Sequence, residues 1–240
     1  MTKKIGLGVL ALLLIIALTL ALWYEIDGQP LAETEQYMRG RGYSVTRENL
    51  GSFVFMPDES NGYGLVIMHG ALIKPQSYAK TAAFFAAQGY TVLLPNGRGR
   101  LSITEVDSTA ERLDEFELDG WFFIGHSMGG LSTLELVSKY EGNVKAVALW
   151  SSAMPFDHSD LTVPMLFIWG DNDGLLPAER FAESRKNLPE DLEIITLKGG
   201  NHRNFAMYSH QFFDNAPILD PASQVDSANT LTVVFFGEHL

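Results

Sequence analysis

The amino-acid sequence predicts an α/β protein: a mostly parallel central sheet with helices on both faces, preceded by an N-terminal transmembrane helix. Three observations carry this. Short, nearly unbroken apolar runs follow one another at 64–68, 90–94, 121–124, 144–150, 164–169 and 192–197, and such runs suit strands buried on both faces of a parallel sheet. Helix-period segments at 77–88, 104–118, 129–140, 178–187 and 223–236 separate or follow most of them, the alternation expected of right-handed crossovers. Ahead of these, Lys3 and Lys4 precede an uncharged stretch from Ile5 to Tyr24 that Glu25 ends.

That stretch holds 20 residues, and at about 1.5 Å each a helix of it spans ~30 Å, the hydrocarbon thickness of a bilayer. An uncleaved anchor is the first expectation for residues 1–24. A removed signal peptide is the alternative, although its apolar core usually runs only ~7–15 residues and the one small-residue pair, Thr19 and Ala21, lies inside the run. The lysines mark the cytoplasmic end. The acidic far side (Glu25, Asp27, Glu33, Glu35) fits export, which places the folded domain outside the cytoplasm. Residues 25–42, polar and broken by Gly and Pro, read as a tether with one short helical turn. Tyr43–Arg47 and Ser52–Met56 are β-rich around Asn49–Gly51 and predict an antiparallel hairpin. From there to residue 240 one domain suffices. Thirteen residues, 151–163, separate two of the strands, barely a crossover's length, so no lid domain fits there.

Composition excludes several functions. The net charge is −12 and no basic run occurs, which argues against nucleic acid and against a polybasic lipid-binding patch. With no cysteine, there is no thiol nucleophile, disulfide framework or thiolate metal site. The first parallel strand ends in HGALIK, without the G-x-G-x-x-G of a dinucleotide-binding turn.

The chemistry centres on WFFIGHSMGG, residues 121–130. A bare G-x-S-x-G arises by chance in roughly one chain in ten of this length, so the motif alone decides little. Its setting decides more: an apolar strand runs in, and a helix with Leu131, Leu134, Val137 and Tyr140 on one face runs out. This is the strand–turn–helix of a nucleophile elbow, with Ser127 at its tip and the helix N-terminus behind it. Met68-His69-Gly70-Ala71 closes an earlier strand, where a tight turn aims the N–H of Ala71, beside that of Met128, at a reacting carbonyl oxygen. His69 reads as structural. Trp169-Gly170-Asp171-Asn172-Asp173 follows a later strand and offers two carboxylates, Asp173 and Asp171, to orient a base. Lys198-Gly199-Gly200-Asn201-His202 follows the last strand, and His202 alone among six histidines occupies such a position. His126, next to the serine on extended backbone, is expected to point to the opposite face. No His, Asp and Glu set has metal-ligand spacing, and neither metal nor organic cofactor is implied.

On HGA (69–71), GHSMGG (125–130), GDNDGLLP (170–177) and GGNHRNF (199–205), the chain resembles the α/β-hydrolase superfamily, in particular small lidless bacterial-type hydrolases with a G-G-N-H segment around the base. The resemblance covers roughly residues 51–236. It implies the α/β-hydrolase fold and a Ser-His-Asp triad that cleaves a carboxylic ester or related acyl bond. It also implies that the Asp of G-x-x-D-x-x-x-P, Asp173 here, is the orienter and His202 the base. Ala206 stands where relatives often carry Gly. The expected partners are a small-molecule or lipid ester and the membrane. Other activities on the same residues, haloperoxidase-like or C–C hydrolysis, and a non-catalytic binding role are the alternatives.

The stretch 203–222 is long for a connection, and its aromatics Phe205, Tyr208, Phe212 and Phe213 either wall an acyl pocket, with Phe205 and Phe212 foremost, or pack the loop onto the body. Arg98 and Arg100 read as solvated loop charges, or as binders of an anionic leaving group.

Overall fold

A computed structural model describes residues 2–240. Of the N-terminal helix α1 (Thr2–Ile26), the side chains of residues 2–7 and 11 lie outside the described residues. The orientation drawn from Lys3 and Lys4 therefore rests on sequence alone.

Eight strands form one sheet: β1 (Tyr43–Arg47), β2 (Phe53–Pro57), β3 (Tyr63–Met68), β4 (Thr91–Leu94), β5 (Gly120–His126), β6 (Val144–Trp150), β7 (Met165–Gly170) and β8 (Glu193–Leu197). Their spatial order is β1-β2-β4-β3-β5-β6-β7-β8. The hairpin β1–β2 pairs antiparallel, with Tyr43 opposite Pro57, and β2 joins β4 antiparallel; every pairing from β4 to β8 is parallel. Between them run α2 (Ala79–Ala86), α3 (Val106–Leu113), α4 (Met128–Lys139) and α5 (Ala178–Arg185), and α6 (Pro221–Gly237) closes the chain. Residues 151–164 carry no helix or strand.

Strand periodicity explains why the apolar runs are unbroken. In β5, Phe122 and Ile124 face one core with Leu65, Ile67, Trp150 and Phe236, while Trp121 and Phe123 face a second with Val66, Leu134, Leu149 and Phe167. Each large side chain buried there stabilises by about 1.5–3 kcal/mol, and both faces require one. The helix expected over 104–118 is shorter. A 3-10 turn, Ser102–Glu105, takes its first residues, and Val106, Thr109 and Leu113 make the buried stripe of the α-helix that follows.

Residues 25–42 do not hang free. A 3-10 helix spans Ala32–Arg39 with Thr34 buried, and backbone bonds tie this segment to two distant loops: Lys74 N–H to Gly28 O (3.0 Å), Leu31 N–H to Met207 O (3.0 Å) and Ser209 N–H to Gln29 O (2.8 Å). Gly28 has φ +65°, and a Cβ there would lie 2.7 Å from Ile73 Cα. The last turn of α1 joins the same junction: Trp23 packs edge-on against Phe212, and the buried Arg100 donates to Tyr24 O (2.5 Å) while its guanidinium lies 3.9 Å from the Tyr24 ring centre. Arg100 is thus a buried cap on a helix C-terminus, where a cation is favoured, and not a solvated charge. Most of the described side chains of α1 from Gly8 onward are exposed. Over Gly8–Ile26 the mean hydropathy is 2.4 and none of it is buried, so this helix is apolar and long enough to be a membrane span or a signal sequence.

Candidate active site

The chain reverses between β5 and α4 at Ser127, whose φ of 55° and ψ of −124° fall in a region that non-glycine residues rarely occupy. The turn is affordable because its flanks are glycines: a Cβ on Gly125 would approach Gly130 Cα and Thr133 Oγ1 to 2.5 Å, and one on Gly129 would run into the backbone of Met68. Ser127 N–H is held by Trp150 O at 3.0 Å. The hydroxyl is left at the carboxyl edge of the sheet, the usual location of sites in open α/β sheets.

His202 follows β8 and is buried. Its Nδ1 hydrogen-bonds Asp173 Oδ2 at 2.9 Å. The other oxygen of Asp173 accepts from Leu175 N–H (2.8 Å) and Leu176 N–H (2.6 Å). Burial pushes the Asp173 carboxyl up, but the His202 hydrogen bond and charge, with the Leu176 N–H and the adjacent Ser151 hydroxyl, outweigh it and hold the group below the ordinary carboxylate range. Asp171 instead accepts from Gly199 N–H at 2.6 Å, fastening one loop to the other. Of the two aspartates, it is Asp173 that meets the imidazole. His202 Nε2 is buried without a hydrogen-bond partner among the described residues. Ser127 and His202 line one cleft of about 580 Å³, walled by Met128, Leu131, Met154 and Leu176. A serine–imidazole bond that tightens only around substrate is common in unliganded sites.

Neither Ala71 N–H nor Met128 N–H makes a hydrogen bond to another residue outside the regular ladders among the described residues. Met128 opens α4, where an N–H has no intrahelical acceptor. The neighbouring Leu72 sits at φ 63° and donates to Arg100 O at 2.8 Å, which shapes the turn carrying Ala71. The described residues include no group of three or more His, Asp or Glu placed to hold a metal ion.

Phe205 and Phe212 do not line the cleft. Phe205 is fully buried between His126 and Trp150, a core position that the 3-10 turn Arg203–Phe205 after His202 imposes. Phe212 lies 5.8 Å from Trp23 and packs on His210, so it belongs to the seat of α1.

His126 lies in the core on the α2 and α6 side, yet its ring is 4.9 Å from that of His202. Its Nε2 meets His202 O at 3.0 Å, its Nδ1 meets Tyr78 Oη at 2.7 Å, and Tyr78 Oη also receives Gly70 N–H at 2.9 Å. Hydrogen-bond capacity fixes the direction. A carbonyl only accepts, so Nε2 carries the hydrogen; Nδ1 then accepts, and the Tyr78 hydroxyl donates to it. Burial, with the adjacent His202 charge, drives His126 far down and keeps it neutral, while burial drives the Tyr78 phenol up. A directed chain thus runs from the turn carrying Ala71 to the carbonyl of His202. Sequence reading missed it, as it missed Asp214, which accepts from Gly174, His202 and Arg203 N–H (3.0, 3.2 and 2.8 Å) and ties the two loops together. His69 is packed as expected: Nδ1 meets Gly70 O at 2.7 Å, and burial lowers its pKa to about 4.

Known proteins agree with this fold. The sequence pattern of the Alpha/beta hydrolase family matches residues 64–226. Cutinase est1 of Thermobifida alba is 27% identical over 210 residues, covering 76% of this chain and 70% of its own. A putative non-heme haloperoxidase of Mycobacterium phage D29 is 29% identical over 111 residues, 41% of this chain and 39% of its own. An alpha/beta hydrolase enzyme from the metagenome of sediments of the Mar Chica lagoon, Morocco, superposes with a TM-score of 0.58 at 19% identity, covering 81% of this chain and 98% of its own.

Proposed function

We infer that this chain, which belongs to the alpha/beta hydrolase family, is a membrane-anchored serine hydrolase that cleaves a carboxylic ester. The observation that carries this is the His202–Asp173 pair, with an unpartnered Nε2 in the cleft that also holds the strained Ser127. The cutinase relative supports the ester as the bond attacked.

In this mechanism Ser127 Oγ adds to the ester carbonyl carbon as its proton passes to His202 Nε2. Asp173 holds the resulting imidazolium in place. The oxyanion sits between the N–H groups of Ala71 and Met128, each worth about 3–4 kcal/mol of transition-state stabilisation. Collapse expels the alcohol, which takes the proton from Nε2 and leaves an acyl group on Ser127. Water, deprotonated by the same nitrogen, then releases the acid and restores the hydroxyl. The apolar wall of Met128, Leu131, Met154 and Leu176 suits an acyl chain. Turnover of p-nitrophenyl esters by the wild type, abolished in a folded Ser127→Ala variant, is the expected result. A wild type inert to every ester of a chain-length panel refutes the assignment.

The anchor is α1, retained rather than cleaved. In support, its last turn is built into the domain through Trp23, Tyr24 and Arg100, and none of the stretch Gly8–Ile26 is buried inside the domain. The domain then lies outside the cytoplasm. Resistance of the chain to carbonate extraction from membranes checks this.

A further inference from the structure

The sequence holds no basic run, yet the fold assembles a basic pocket from four separate segments. A cavity of about 340 Å³ beside the end of α1 is lined by Arg47 at the end of β1, Lys74 beyond the turn after β3, and Arg98 and Arg100 after β4, together with Tyr24 and Asn96. Four of the chain's 17 Lys and Arg meet there and no carboxylate lines it, in a protein with 29 Asp and Glu. Acidic groups of the adjoining segments stand outside, and Glu48 is paired with Arg112. Exposed Glu25 lies 3.5 Å from Arg100, and Glu35 is occupied by Gln76 at 2.8 Å. Arg100 is committed to Tyr24. The side chains of Arg47, Lys74 and Arg98 make no hydrogen bond or ion pair among the described residues, and Arg47 and Arg98 are exposed. Nothing in the hydrolytic site uses them.

Position supplies the ligand. The candidate span ends at Ile26, and the pocket is walled by Tyr24, one turn or less from that end, with Trp23 beside it. Aromatic residues of this kind sit at the level of the headgroups, so the three uncommitted cations stand where lipid phosphates lie. We propose that this pocket binds the phosphate of a phospholipid headgroup from the leaflet in which α1 ends, an inference that rests on the anchoring function above. The bound phosphate would offset locally the repulsion that a chain of net charge −12 meets at an anionic surface.

Native mass spectrometry of the full chain in mild detergent, incubated with phosphatidylglycerol, phosphatidylcholine or diacylglycerol, tests this. The wild type should retain one phosphate-bearing lipid and no diacylglycerol, and the triple variant R47Q/K74Q/R98Q should retain about tenfold less or lower still, with unchanged circular dichroism and unchanged p-nitrophenyl acetate hydrolysis. Equal retention by the variant, or of diacylglycerol by the wild type, overturns the proposal; the wild-type comparison stands even if the variant misfolds. Inorganic phosphate that binds the lipid-free chain and displaces the lipid identifies a free phosphate as the ligand and overturns the lipid source. Carbonate extraction separates the two claims: an extractable chain that still retains phospholipid sinks the anchor alone, and an embedded chain that retains none sinks the pocket alone.

Discussion

Tyr78→Phe removes one oxygen and leaves the ring in place. In the wild type that oxygen is fully buried, accepts from Gly70 N–H at 2.9 Å and donates to His126 Nδ1 at 2.7 Å. The variant strands both partners where water does not reach, and each unsatisfied buried group costs about 1–3 kcal/mol. A destabilisation of about 2–6 kcal/mol follows unless the structure relaxes, and the groups free to move are the turn before Ala71 and, through His126, the carbonyl of His202. If relaxation there recovers about 1–2 kcal/mol at the expense of transition-state geometry, kcat falls roughly 5–30-fold, while KM, set by the cleft wall, holds. Chemical denaturation and p-nitrophenyl butyrate kinetics measure the two quantities on the same sample. Lost stability with an unchanged kcat makes Tyr78 a mere core residue and refutes the positioning argument; so does a raised KM with kcat intact.

Asp173→Asn should lower kcat by about 10³–10⁴ with little change in KM, the scale of a lost triad carboxylate, whereas Asp171→Asn, which affects only the bond to Gly199 N–H, should cost less than tenfold. Acid should destabilise the fold through His69. Its folded pKa, about 4, lies below the ordinary 6.5, so the unfolded chain takes the proton first. The contribution is complete above pH 6.5 and is lost as pH falls to 4, about 3 kcal/mol in all and about 2 kcal/mol at pH 5. In His69→Gln, urea unfolding should show a correspondingly shallower loss between pH 7.5 and 5, and an identical loss would contradict the assignment. Phe205→Ala should cost about 3–5 kcal/mol as a core truncation, while Phe212→Ala should leave both stability and acyl-chain selectivity unchanged, readable by thermal melting and an ester panel.

Strand positions were legible because both cores demand apolar side chains, so runs such as VKAVALW mark β6 at its observed limits, Val144–Trp150. The places of Ser127, Asp173 and His202 along the sheet edge were legible for a related reason. Each stands just past the end of such a run, where a parallel sheet gathers its loops at one edge. The docking of residues 25–42 was not, because backbone groups of Gly28, Gln29 and Leu31 make it and those groups are common to every residue type. Phe205 and Phe212 were misplaced because an irregular stretch has no period to say which way a ring points. Asp214, in that stretch, gave no signal for the same reason. The His126–Tyr78 chain joins residues 48 positions apart, and the basic pocket joins four segments; neither leaves a local pattern.

The central claim is that the Ser127 hydroxyl is made nucleophilic by the imidazole of His202. Labelling of the folded full chain with a fluorophosphonate, followed by intact-mass analysis and peptide mapping, addresses it directly. A single adduct on Ser127, absent in Ser127→Ala and formed far more slowly in His202→Asn, is the predicted result. A folded wild type that stays unlabelled, or an adduct on a different serine, contradicts it.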